Sequence, residues 1–242
     1  MALHFLVDDA GARPGETVVL TGAEAHHAAS VRRVRPGEQV TVGDGRGTWL
    51  AGVVDSTQPR EVIVRITARD EVPPPRRRLV LAQALAKGDR DELAVQAATE
   101  LGVDEVVPWQ AARSVSRWEG PKAEKGRQRW RSIVREAAKQ AHRAWMPEVT
   151  PPASTAALAA RAAASRMLVL EPTATASLSG ADLGEDGDIV LVVGPEGGIA
   201  PEELAQLADA GAAAVRLGDT VLRTSTAGPA ALAVVSVLLG RW

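Results

Sequence analysis

Apolar residues along this chain follow two rhythms. Up to about residue 72, short segments alternate apolar and polar positions: residues 18–20, 39–42, 49–54 and 61–66. Turn residues separate them at Pro14-Gly15, Pro36-Gly37 and Gly43-Asp44-Gly45. Period-two alternation with regular turns predicts the strands of a small barrel, interrupted by one helical piece over residues 23–34. Beyond residue 78 the pattern changes to unbroken aliphatic runs at 79–85, 105–109, 167–170, 189–193 and 214–217. Such runs predict strands covered on both faces, as in a parallel sheet. Helical periodicity lies between them. A helix over 89–101 carries Leu93, Ala97 and Leu101 on one face, and a longer one over 122–144 has an apolar stripe through Trp130, Val134, Ala137 and Ala141. Further helices are predicted over 153–166, from Pro201, and over 226–239, the last apolar nearly all round. The fold class is therefore α/β. The string Pro73-Pro74-Pro75-Arg76-Arg77-Arg78 favours a stiff extended spacer. It divides the chain into a β-rich domain (1–72), a linker (73–78) and an α/β domain (79–242).

Composition changes this picture in a few places. Aromatic residues make up 3% of the 242 residues and hydrophobic residues 45%, so aliphatic side chains and alanine must fill the core. With no cysteine and four scattered histidines, neither disulfides nor a zinc centre is expected, and no metal is assigned. The N-terminal residues lack the basic and apolar regions of a signal peptide, and no run approaches the length of a membrane span. A soluble cytoplasmic protein is expected. The formal charge is −2, yet residues 113–143 hold ten basic and three acidic residues. That asymmetry suits a nucleic-acid backbone, although a solvated helix face would look the same.

The candidate chemistry sits where strands end. The run at 189–193 breaks into Gly194-Pro195-Glu196-Gly197-Gly198, followed by a helix start at Pro201-Glu202-Glu203. Glycine permits close backbone approach and proline fixes the loop, while acids suit the positive end of the following helix. The run at 214–217 likewise breaks at Gly218 and leads to the final helix. Two strand–loop–helix units side by side form a crevice at the carboxyl ends of parallel strands, where α/β proteins bind ligands. The loop lacks the G-K-[ST] of a phosphate-binding loop and the G-x-G-x-x-G of a dinucleotide fold, and no nucleophile elbow occurs.

The pair LVVGPEGG and RLGDTVLRTSTA, joined to TELGV at 99–103, resembles the SPOUT methyltransferases, specifically the ribosomal RNA small-subunit methyltransferase E family. SVRRVRPGE places Arg33 on a family arginine, and DGRG at 44–47 matches a family turn. The stretch ending at Pro147 places Gln140 and Arg143. The resemblance implies a PUA-like RNA-binding β-barrel and a catalytic domain whose C-terminal chain forms a trefoil knot. It implies a homodimer that methylates N3 of one uridine (uracil-1498) of 16S ribosomal RNA in the small subunit, using S-adenosylmethionine (SAM). By that resemblance SAM lies against Leu170, Glu171 and Pro172, against Val193, Gly194, Pro195, Glu196, Gly197 and Gly198, and against Leu217, Gly218, Val221, Leu222, Arg223, Thr224 and Ala227. Arg32, Arg33, Arg35, Arg113 and Arg143 are candidate RNA contacts. Arg223 is the candidate for stabilising charge on the uracil ring. Glu196 is either a base or a brace accepting loop amides, and Thr224 either caps the last helix or contacts the base. The family glutamate two residues beyond its arginine is Ser225 here, and Ala97 replaces a family lysine. Ribose 2′-O-methylation and a non-catalytic RNA-binding role in ribosome assembly are the alternatives.

Overall fold

A computed structural model describes residues 2–242, which fall into two compact units. The first comprises residues up to Pro74 together with Ala138–Met146, and the second comprises Pro75–Ala137 and Pro147–Trp242.

The first unit is built on β1 (Leu3–Leu6), β2 (Thr17–Thr21), β3 (Gln39–Gly43), β4 (Thr48–Gln58) and β5 (Glu61–Glu71), in the order β1-β3-β4-β5-β2. Alternation along β4 and β5 turns Leu50, Val54, Val62, Val64 and Ile66 into a core with Phe5, Leu20 and Val42. The helical piece is shorter than its pattern predicts. Helix α1 (Gly22–His26) passes into a π-helical turn, His27–Val31, and Arg33 then takes a left-handed conformation with φ 53°. Residues of the late segment complete this unit. Lys139 Nζ bonds Glu24 Oε1 at 3.0 Å, Trp145 Nε1 donates to Val72 O at 2.8 Å, and His142 lies 5.8 Å from the His4 ring, itself stacked on Trp49.

The second unit is a six-stranded parallel sheet of β6 (Leu79–Ala84), β7 (Glu105–Trp109), β8 (Glu148–Val149), β9 (Ser165–Leu170), β10 (Asp188–Val193) and β11 (Ala213–Val215). Its order is β11-β9-β10-β6-β7-β8. The unbroken apolar runs have a direct cause. Leu79 and Leu81 of β6 and Leu191 and Val193 of β10 enter one core, while Val80, Ala82, Val190 and Val192 enter a second on the opposite face. Helices α2 (Arg90–Glu100), α3 (Pro121–Gln140) and α6 (Thr224–Leu238) contribute Val95, Val134 and Val235 to the first core. Helices α4 (Thr155–Ala162) and α5 (Pro201–Asp209) contribute Leu158 and Leu207 to the second.

Three helices depart from their patterns. The buried face of α2 is Ala94, Val95, Ala98 and Thr99, while Leu93 is 51% exposed. Small residues let α2 lie close to its neighbours, so the alanine face rather than the leucine face turns inward. Helix α3 stops at Gln140 because His142 turns left-handed and Arg143 N donates back to Ala138 O, a C-terminal capping arrangement. Helix α4 starts later than expected because the Ser154 hydroxyl accepts from Ala157 N. It also ends earlier, because Ser165 already opens β9.

Candidate functional site

The carboxyl ends of β9 and β10 and the chain beyond β11 surround a cavity of about 380 Å³. That volume falls in the range of small-molecule sites. Its walls include Leu170, Glu171 and Pro172 at the end of β9 and Val193, Gly194, Pro195, Glu196 and Gly198 at the end of β10. They continue with Leu217, Gly218, Val221, Leu222, Arg223, Thr224 and Ala227. Three separate stretches of sequence-based candidates are thus brought to one place. Gly197 is the exception and does not line the cavity: it faces Arg113, whose Nη1 donates to Gly197 O at 3.1 Å. Thr220, within the expected stretch 217–224, also lines the cavity, as do Arg90, Ile199, Val215 and Arg216, which the sequence did not single out. Arg216 opens the RLGDTVLRTSTA motif and Val215 lies in the run 214–217, whereas nothing in the spacing of Arg90 foretold a partner 106 residues away.

The first loop is held from several sides. Gly198 N donates to Pro195 O at 2.9 Å, closing a tight turn in which Gly198 itself has φ 71°. Glu196 Oε1 accepts from the Lys87 amide at 3.1 Å and from Arg90 Nη1 at 2.9 Å. Partial burial pushes the Glu196 carboxyl up, but hydrogen bonds from its own amide and that of Lys87, with the Arg90 guanidinium, outweigh this. The net effect holds it below the ordinary carboxylate range. At neutral pH it is ionised and committed to the loop, a poor arrangement for taking a proton.

Thr224 is the first residue of α6 rather than its cap, which is Arg223. Its hydroxyl donates to Gly194 O at 2.9 Å and accepts from Gln83 Nε2 at 2.9 Å. The single hydroxyl proton is therefore spent on the opposite loop. Of the three arginines on the cavity wall, Arg90 pairs with Glu196 and Arg216 with Asp219. Among the described residues no carboxylate pairs with Arg223, which is exposed at the rim.

The RNA candidates are scattered. Arg32, Arg33 and Arg35 stand exposed around the buried Val34 in the first unit, where the half-buried Arg143 also lies. Arg113 belongs to the second unit and braces the first loop. Along α3 in that unit, Lys122, Lys125 and Arg131 are exposed, whereas Arg129 pairs with Glu92 at 2.8 Å. No group of three or more histidine and acidic residues suited to a metal occurs among the described residues, and no described helix is long and apolar enough to cross a membrane.

Comparison with known proteins converges on one family. The profile described as RNA methyltransferase domain matches residues 73–236, and that described as RNA methyltransferase PUA domain matches residues 20–67. The chain is 48% identical to ribosomal RNA small subunit methyltransferase E of Mycobacterium bovis, an alignment that covers all of this chain and 94% of the relative. A methyltransferase of Legionella pneumophila in complex with SAM superposes with a TM-score of 0.88 at 28% identity, covering 98% of each chain. The Neisseria gonorrhoeae ribosomal RNA small subunit methyltransferase E, bound to SAM, does so with 0.87 at 29% identity, again over 98% of each chain. The profile matches and the end-to-end likeness to the mycobacterial enzyme establish that this chain belongs to the ribosomal RNA small subunit methyltransferase E family.

Proposed function

We propose that the chain binds SAM in the cavity at the ends of β9 and β10 and transfers its methyl group to N3 of a uridine of 16S ribosomal RNA. The observation that carries this reading is Arg223: a guanidinium that pairs with no carboxylate among the described residues, at the rim of a cavity whose other two arginines are engaged with carboxylates. The two SAM-bound relatives support the choice of cofactor. The residues present fit it. Leu170, Leu217, Val221, Leu222 and Ala227 offer apolar surface for an adenine ring. Gly218 leaves room as well, since a Cβ added there would meet no protein atom within 4 Å.

SAM in this cavity supplies an electrophilic methyl group. The chain's own residues do the rest. Holding the acceptor in line supplies much of the acceleration in such a transfer. As the N3 proton passes to water at the exposed rim, negative charge spreads onto the flanking uracil oxygens, where the Arg223 guanidinium stabilises it. Glu196 acts as the brace of its loop, and Thr224 as the tie between loops. N3 lies on the pairing edge, so the uridine must be met unpaired or be turned out of its helix. Arg32, Arg33, Arg35 and Arg143, with Lys122, Lys125 and Arg131 on α3, are read as phosphate contacts.

The same reading includes the trefoil knot implied by the resemblance, action in the cytoplasm and a homodimer. Val221, Val237 and Trp242 are 78%, 61% and 63% exposed, apolar side chains that a second copy would cover. Sedimentation at micromolar concentration should show a dimer; a monomer alone would contradict it. The test of function is digestion of treated ribosomal RNA to nucleosides. 3-Methyluridine is expected, and a ribose-methylated nucleoside or no methylation at all would overturn the proposal.

A further inference from the structure

Strand β6 carries one residue that its surroundings do not explain. Leu79, Val80, Leu81, Ala82 and Ala84 are fully buried and apolar, yet Gln83 among them is equally inaccessible. Its Nε2 donates to Thr224 Oγ1 at 2.9 Å and to Ala84 O at 3.2 Å, while Oε1 has no hydrogen-bond partner. A buried carbonyl without a donor destabilises the fold, and an aliphatic side chain of similar size would avoid this. The amide is therefore retained for something other than stability.

What it does is legible from the relay it begins. The Thr224 hydroxyl has one proton, which goes to Gly194 O at 2.9 Å, so Thr224 must accept from Gln83. Thr224 and Gly194 both line the cavity, on different segments joined by this bond, and Gln83 is not among the lining residues. We propose that Gln83 is a positioning residue that sets the separation of the two cofactor loops from inside the core, acting through Thr224, with fold stability reduced in return for cofactor affinity. The inference rests on the reading of the cavity as a SAM site.

The test uses the full chain and the variants Gln83→Leu, Gln83→Met, Thr224→Val and Gln83→Leu combined with Thr224→Val. SAM dissociation constants come from calorimetry, stability from thermal unfolding, and KM and kcat from methylation assays. Gln83→Leu should weaken SAM binding about tenfold, the equivalent of one net hydrogen bond, while its unfolding temperature stays level or rises. KM for SAM should rise more than kcat falls. The double variant should bind SAM no worse than Thr224→Val alone, because both changes cut the same relay. Unchanged SAM affinity in Gln83→Leu, additive losses in the double variant, or failure of both Gln83→Leu and Gln83→Met to fold would each overturn the proposal. If the unaltered chain fails to bind SAM, it is the cofactor assignment that falls, a separate result.

Discussion

The two loops that line the cavity are held very differently. The first, from Gly194 to Gly198, is tied by a turn bond, an ion pair, a backbone amide from Lys87, the Arg113 guanidinium and the Thr224 hydroxyl. The second, residues 218–222, is held among the described residues by one ion pair, Arg216 with Asp219, whose carboxylate side chain is almost wholly exposed. Exposed pairs contribute about 0–1 kcal/mol, so this loop is weakly constrained by comparison. Under the proposed function this difference divides the labour around the cofactor. The braced loop is a preformed wall for a cofactor. The loosely held one lines the same cavity and leads to Arg223, which pairs with no carboxylate among the described residues and is the group suited to meeting a substrate.

Substitutions can break this contrast, and the largest effect should come from Arg223, just beyond the second loop. Arg223→Ala should lower the methylation rate by roughly 10²–10³-fold, as for loss of a donor to developing charge, and leave SAM affinity within about twofold. Next is the first loop. Gly198→Val forces a β-branched side chain onto φ 71°, and SAM affinity should fall by about 10–100-fold in calorimetry. A smaller effect is expected for Glu196→Gln, which removes the charge that holds Arg90 and should weaken SAM binding a few-fold. The carboxyl sits below its ordinary value of 4.5, so its contribution is fully present above that value. It is lost only as pH falls through the lowered folded-state value. Between about pH 6 and 8 the SAM affinity of the unaltered chain should therefore show no dependence on this group. Loss of turnover in Glu196→Gln at saturating SAM and RNA would instead make Glu196 a base.

The smallest effect lies outside both loops. Arg33 has φ 53°, where glycine is favoured, so Arg33→Gly should raise stability by roughly 0.5–1 kcal/mol in thermal unfolding. The same change should flatten the salt dependence of RNA binding by about one log–log unit and leave SAM affinity alone. A gain in stability with no change in RNA binding would remove Arg33 from the RNA surface.

Much of this was legible in the sequence because its causes are local. Strands β6 and β10 meet apolar cores on both faces, which writes an unbroken aliphatic run, and the glycines at 194, 197, 198 and 218 announce unusual loops. The residues that were missed depend on chain segments meeting in space. Strand β1 has four residues and includes His4, whose ring is buried by stacking on Trp49 and whose pKa falls to about 4, first through that burial and then through His142 and Lys139. The union of Ala138–Met146 with the first unit, the Arg90–Glu196 pair and the Gln83 relay likewise join distant residues, and no period reports them. Leu93 misled for the opposite reason: its periodicity was apolar, but the alanine face packs closer.

The central claim is that the two loops hold the cofactor while Arg223, just beyond the second of them, serves the chemistry. The most direct measurement is a pair of experiments on Arg223→Ala: calorimetry with SAM, and single-turnover methylation of the small-subunit RNA at saturating SAM and RNA. The account predicts a SAM dissociation constant close to that of the unaltered chain and a rate lower by two to three orders of magnitude. A normal single-turnover rate with weakened SAM binding would contradict it, and would make Arg223 part of the cofactor wall.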